Sequence, residues 1–296
     1  MADALSEVGG KRHGRQVGQQ GLERPHLVAQ AAARSGLEGL ERHRTVEAER
    51  PGRGASQRRE VGAGAQQGAE VVGEARTVGA FVNFGADYLE PGVLFYGGRG
   101  TVTVGEAFGP AVERISPRVL AIRDSWRDFD ERAFATDNIM GYLWGKEAYG
   151  AMLFVTALTN DSIADALAMP EYRGVYVAIA REMLAVADAH QVQPMAFDGF
   201  DPAAYRPDAP ADAATQSLDA LVAHNRRSAK THSGIWRDLA IRKRPTEVDA
   251  QLGIVVRLGA AAGVPTPLTT RVVTMIQEIE RGTRPQAREN LEALTT

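Results

Sequence analysis

From Met1 to Val78 the chain contains no Phe, Tyr, Trp, Ile or Asn, and its only Met is the initiator. That stretch offers scattered Val and Leu among Gly, Ala, Arg, Gln and Glu. Such a segment buries little apolar surface, while ordering each residue's backbone costs about 1–2 kcal/mol. Residues 1–76 are therefore expected to be largely disordered, with short helices around residues 25–44 at most. From Gly79 onward the aromatics return at once, in Phe81, Phe84, Tyr88, Phe95 and Tyr96. Three readings of the front segment stand side by side: a disordered extension, a small helical accessory segment, and translation in a wrong frame or from a misassigned start. The last is favoured, because a GC-rich gene read out of frame yields Arg, Gly, Ala, Gln and Glu without aromatics. The DNA upstream of the Thr77 codon decides it. A frame encoding a strand, a glycine turn and a helix supports this reading, and none doing so removes it.

The whole chain of 296 residues is long enough for two ordinary domains. Its formal net charge of -3 gives no global field for nucleic acid or an anionic membrane. Without a single cysteine it has no disulfide, no thiolate metal site and no thiol nucleophile. No apolar run reaches the roughly 20 residues that span a bilayer, and no secretory leader pattern opens the chain. A soluble cytoplasmic protein, with neither nucleic acid nor membrane as partner, is the expectation.

Past residue 76 the pattern changes from strands to helices. Residues 78–84 form a short apolar run, and Pro91-Gly92 is a turn signal. Residues 93–96 and 101–104 are β-branched and aromatic around a glycine-rich turn, which predicts a hairpin between them. Residues 110–130 read as a helix and a linker, with Ile115, Val119 and Ile122 at helical spacing. Asp137 or Asn138 is placed to cap a helix running to about Thr159 that is apolar nearly all round, hence central and buried. Gly141, Gly145 and Gly150 within it imply close approach of another backbone or a ligand, since each costs about 1 kcal/mol relative to Ala. Further helices are expected over residues 173–189, 218–225 and 246–262, and a last one holding Val272, Met275, Ile276 and Ile279 on one face and closed by Arg281-Gly282, with a polar connection over 198–214. Thr246 is the expected N-cap of the third, with Asp249 at the capping-box position. Gly263 and Pro265 end that helix.

Few motifs carry chemistry on their own. Gly62, Gly64 and Gly68 have a spacing that resembles a phosphate-binding loop. The residues before them, Arg58, Arg59 and Glu60 among them, make no buried parallel strand, so the match is set aside. Lys146 is the best single candidate for chemistry. A buried ammonium must be paired, reach solvent or line a cavity, and the bland alternative is a packed stem with Glu147 as neighbour. Glu247, in the first turn of a helix, is ordinarily a favourable charge against the helix dipole. Arg242, Lys243 and Arg244 are ordinarily a solvated basic run. His224 and His232 imply no third ligand, and no metal is expected.

Taken in order, several blocks resemble one family. Residues 77–92, then Tyr96 to Gly100 and Gly105-Glu106, resemble the end of the Rossmann domain of ketopantoate reductases. Asp137 to Lys146, with its Trp144-Gly145-Lys146 ending, is similar to that family's Trp-x-Lys segment. Residues 232–238 and Arg244 to Asp249 are similar to its Ser, Asp and Arg-x-Thr-Glu-x-Asp stretch, and Gly253, Gly259, Gly263 and Pro267 follow its closing helices. The resemblance implies an α/β remnant, a truncated Rossmann-type sheet of few strands, packed on an all-α domain like the C-terminal domain of 6-phosphogluconate dehydrogenases. It divides the chain into a segment 1–76 with no expected fold, the end of a nucleotide-binding domain at 77–125, a helical domain at 126–283 and a tail at 284–296. It implies an NADP-dependent oxidoreductase of pantothenate biosynthesis that reduces 2-dehydropantoate, or a related 2-oxo acid, to the hydroxy acid with NADPH. Lys146 would be the general acid, Glu247 would contact cofactor and substrate hydroxyls, and Ser233 lies in the stretch that binds the substrate carboxylate. A homodimer through the helical domain is the implied assembly. Two departures put another 2-oxo acid in play: Gly234 where the family often has Ser, and Gly150 where it often has Asn. The glycine-loop half of the family has no counterpart before residue 77. A second reading is therefore a non-catalytic helical fragment that acts only by association.

Overall fold

The computed structural model of the chain describes residues 63–112 and 114–295. The expectations for residues 1–62 lie outside them. The chain runs through helix α1 (Ala63–Val72) and strands β1 (Gly79–Val82), β2 (Gly85–Glu90), β3 (Val93–Gly98) and β4 (Val102–Gly105). Helix α2 (Pro117–Arg127) and the short strand β5 (Phe134–Ala135) follow. The rest is helical: α3 (Ile139–Thr156), α4 (Ile163–Ala168), α5 (Arg173–Ala189), α6 (Ala213–Arg227), α7 (Gly234–Arg237), α8 (Val248–Ala262), α9 (Pro267–Glu280) and α10 (Glu289–Leu294). Few short strands followed by helices is the architecture the sequence implied.

Strand pairing differs from the expected hairpin. β2 pairs antiparallel with β3 around Pro91-Gly92, with Asp87 opposite Phe95 and Tyr88 opposite Leu94. β4 instead returns antiparallel to β1, with Phe81 opposite Thr103, and takes β5 as a parallel neighbour. Residues 93–96 and 101–104 therefore belong to different sheets. Alternation marks a strand but carries no information about its partner, and Pro91-Gly92, with Gly92 at φ 85°, supplied the tighter turn.

Residues 63–76 also depart from the expectation. Ala63–Val72 is helical, and Ala69 is buried in the main core. Ala, Gln and Glu are good helix formers, and one small side chain can dock where the partner surface supplies the apolar area. Residues 63–68 lie within this helix rather than in a loop ahead of one, so the glycine spacing there forms no phosphate cradle. The expected tail is different too. Leu291 and Leu294 of α10 are buried, and Asn290 donates through Nδ2 to the Leu158 carbonyl at 2.9 Å. The polar connection over 198–214 likewise carries Phe200 and Tyr205, both about 1 % exposed and stacked at 5.4 Å.

Helix α3 is the axis of the helical body. Asn138 caps it, accepting from the Gly141 amide at 2.9 Å, and Trp144, Met152, Phe154 and Val155 are fully enclosed. α5, α8 and α9 pack around it, with Tyr176, Ile179, Leu252, Val255 and Ile276 turned inward. The N-cap position of α8 falls at Glu247, whose side chain makes no cap bond, and Thr246, the expected cap, sits one residue earlier and accepts from the Val248 amide at 3.2 Å. The reciprocal carboxylate is Glu280 of α9, 2.7 Å from both the Thr246 amide and its hydroxyl. Asp249, the expected capping-box partner, instead accepts from Gln277 at 2.9 Å. A carboxylate brought in by packing has taken the local residue's place.

One buried charge ties the strands to α2. Glu106, 2 % exposed, accepts from Arg118 Nε at 2.8 Å and from the Ser116 hydroxyl at 2.5 Å. The Arg118 guanidinium holds its carboxyl below the ordinary glutamate range. Arg118→Met leaves that carboxylate buried without its partner, and a loss of about 3 kcal/mol is expected. A carboxyl with a depressed folded pKa stabilises above its unfolded pKa and loses that contribution as the pH falls. The gap between variant and wild type should therefore narrow below about pH 4. Urea melts across pH 3–8 check both statements.

Candidate functional site

The chemistry gathers where the end of β1 meets α3. Lys146 is part-buried on α3, and its Nζ donates to the Val82 carbonyl at 3.0 Å. The ammonium also lies 5.7 Å from the ring centroid of Phe81, which is fully buried between Tyr142 and Phe197. Burial lowers the lysine's pKa, while the charges of Glu147 and Glu247 hold it up in part. Burial likewise pushes the Glu147 carboxyl up to about 7. Lys146 opposes that rise and Glu247 reinforces it. One cation thus faces two carboxyls from α3 and α8.

Glu247 is exposed at the start of α8, and Gln251 one turn later donates to its Oε2 at 3.0 Å. Gly150 of α3 lies opposite Gln251. A Cβ there would have only Gln251 Oε1 near it, at 3.9 Å. Gly141 and Gly145 are different, for their missing side chains admit the backbone of residues 193–195. A Cβ would lie 2.3 Å from the Gln193 carbonyl at Gly141, and 2.5 Å from the Met195 carbonyl at Gly145. The close approach expected for the three glycines is therefore met by backbone at two of them.

Ser233 is 5 % exposed and caps α7, its Oγ accepting from the Trp236 amide at 3.1 Å. α7 packs against α3. Gly234 beside it has open space where a side chain would project. Arg242 and Arg244 are ion-paired rather than a free basic run, since both reach Asp238 Oδ1, at 2.9 and 2.7 Å. Among the described residues no group of three or more His, Asp or Glu could hold a metal ion. Among them, too, no helix is long and apolar enough to cross a membrane.

The structure thus couples Lys146 and Glu247 and keeps the Ser233 hydroxyl in a cap. Sequence reading passed over four other contributors. The Val82 carbonyl and the Gln251 amide hold the two charged groups. Asp198 accepts from Asn83 Nδ2 at 2.7 Å and from the Thr101 amide at 2.8 Å, fastening the end of β1 to the helical body. Asp198 sits at φ 44° and Gly199 at φ 93°, a left-handed pair that Asp and Gly tolerate best. Tyr149 is the fourth; it exchanges hydrogen bonds with Asn225, and burial raises its hydroxyl to about 12. Only the glutamate–glutamine spacing of four on α8 was a signal available in advance.

Residues 138–280 match the sequence model described as the ketopantoate reductase PanE/ApbA C-terminal domain. Residues 138–280 belong to the ketopantoate reductase family. The chain is 26 % identical over 210 residues to the 2-dehydropantoate 2-reductase of Archaeoglobus fulgidus, covering 70 % of this chain and 62 % of that protein. The crystal structure of 2-dehydropantoate 2-reductase from Geobacter metallireducens superposes with a TM-score of 0.58 at 19 % identity, over 72 % of this chain and 64 % of that one. D-mandelate dehydrogenase, solved with NADH and anilino(oxo)acetate, gives a TM-score of 0.53 at 18 % identity, over 69 % and 60 %. At such identities the structural likenesses establish the fold. The chain spans 62 % of the length of the curated reductase it matches.

Proposed function

We propose that this chain carries the substrate end of an NADPH-dependent reductase that converts 2-dehydropantoate, or a related 2-oxo acid, to the 2-hydroxy acid. The observation that supports it most is the Lys146 ammonium, held by the Val82 carbonyl at 3.0 Å and coupled to Glu247. An ammonium has three donors, of which Val82 engages one. A carbonyl oxygen placed beside it gains negative charge as the carbon is reduced. Lys146 stabilises that charge and delivers the proton, so the product is an alcohol. A lysine whose pKa is lowered by burial gives up its proton more readily than a solvated one.

The other roles are carried over from the family resemblance. Glu247 accepts a hydrogen bond from a substrate hydroxyl and sets the field at Lys146. The Ser233 oxygen accepts from its helix, which leaves its O–H as a donor for the substrate carboxylate. Residues 77–125 form the end of a nucleotide-binding domain and residues 126–283 the helical domain. The family's reductant is a nicotinamide dinucleotide, yet no cradle for its pyrophosphate exists among the described residues. Glycines 64 and 68 lie in α1, and none of the described strands precedes that helix. The steps this chain's own residues perform are therefore confined to the carbonyl, its carboxylate and its proton.

That missing cradle favours one alternative, a helical fragment that acts only by association. Isothermal titration of the full chain with NADPH separates the two. Low-micromolar binding supports the reductase and removes the fragment. No heat at millimolar nucleotide removes the reductase as an activity of this polypeptide.

A further inference from the structure

Gly150 is the one glycine of α3 whose missing Cβ no neighbouring backbone explains. The atom nearest to the empty position is Gln251 Oε1, at 3.9 Å. The other end of the same carboxamide donates to Glu247 Oε2 at 3.0 Å. Gln251 thus bridges from the carboxylate of α8 to the strip of α3 that carries Lys146, Glu147 and Gly150. An exposed glutamate has several side-chain rotamers of similar energy. A hydrogen bond to a residue four positions on selects one of them.

That selection matters because of what surrounds the carboxylate. Lys146 and Glu147 face it from α3. Asp249 of α8 is turned away, held by Gln277 of α9 at 2.9 Å. Arg244 is held at 2.7 Å by Asp238 and feels Glu247 only as a weaker charge. We infer that Gln251 is a positioning residue: it holds the Glu247 carboxylate toward Lys146. The inference deepens the reductase reading and rests on it for its purpose, but its geometry can be tested without turnover.

The readout is the pH dependence of Lys146 acylation in the folded full chain, followed peptide by peptide by mass spectrometry. Gln251→Leu should release Glu247, and the midpoint at Lys146 should fall by about half a unit to one unit. Glu247→Gln should lower it by the same amount. The double variant should fall no further, since both changes remove one interaction. Gly150→Ala fits at ordinary contact distance and should leave the midpoint where it was. Gln251→Met keeps the length and removes the donor, and it gives the same comparison should Leu not fold at this position. An unchanged midpoint in the folded Gln251 variant overturns the inference, as does a double variant that falls by the sum of the two. Failure of the reductase reading shows separately, as absence of NADPH binding with the midpoint shifts intact.

Discussion

On the proposed reductase reading, Lys146→Met is expected to lower kcat/KM for 2-dehydropantoate by about 10²–10⁴-fold while leaving the melting temperature unchanged or slightly raised. The two halves of that expectation have different origins. Met retains most of the lysine stem, so the packing against Phe81 and along α3 survives. It deletes a charge whose burial is unfavourable, and it frees the Val82 carbonyl, which β1 can offer to water. Nothing in the fold therefore needs the ammonium. A lysine kept only for its stem would be replaced by Met with no change in turnover, and that outcome would remove Lys146 from the mechanism. The pH profile gives a second check. Turnover by the wild type should decline as the pH rises through the lysine's pKa, at a value below the ordinary 10.4 because burial disfavours the charged form. Glu147→Gln takes away a carboxylate that holds that pKa up, so the decline should begin at lower pH in that variant.

How much of this was legible beforehand depends on whether the cause is local. α3 was legible because a run from Ile139 to Thr156 that is apolar on every side has one stable location, the centre, and Asn138 marks its start. The bounds of α5 and the stop of α8 at Gly263, with φ 71°, were legible for similar reasons. Lys146 stood out because a charge inside such a helix demands an explanation. What stayed hidden was everything set by partners distant in sequence. Val82 lies 64 residues from Lys146, and its carbonyl has no side-chain signature. Glu280 reaches Thr246 across 34 residues and displaces the local Asp249 as the capping carboxylate. Asp198 lies 115 residues from Asn83 in a stretch that read as a polar connection. Ser233 is the mixed case. The family resemblance marked it, while the geometry shows its oxygen already committed to a helix cap.

The three glycines of α3 turn that distinction into an experiment, because one substitution on one helix should have opposite signs. Gly145→Ala is expected to destabilise the protein by about 3 kcal/mol, and Gly150→Ala to stabilise it by up to about 1 kcal/mol. Both changes gain the same helix propensity. At Gly150 nothing opposes it, because the new methyl meets only the far end of Gln251. At Gly145 the methyl would lie 2.5 Å from the Met195 carbonyl, a backbone atom that cannot rotate away. Residues 193–195 would have to lift from α3, breaking the bond from the Met195 amide to the Gly141 carbonyl at 2.9 Å. The same movement displaces Phe197 from the core and Asp198 from its contacts with Asn83 and Thr101. Since Asn83 follows the carbonyl that holds Lys146, the loss should reach the site as well as the fold. For a body of this size the deficit corresponds to roughly 6–12 °C in melting temperature, which scanning calorimetry resolves easily. Equal melting temperatures for the two variants would mean that residues 193–195 do not lie against α3. The fastening of β1 through Asp198, and with it the placement of Val82 beside Lys146, would then have to be redrawn.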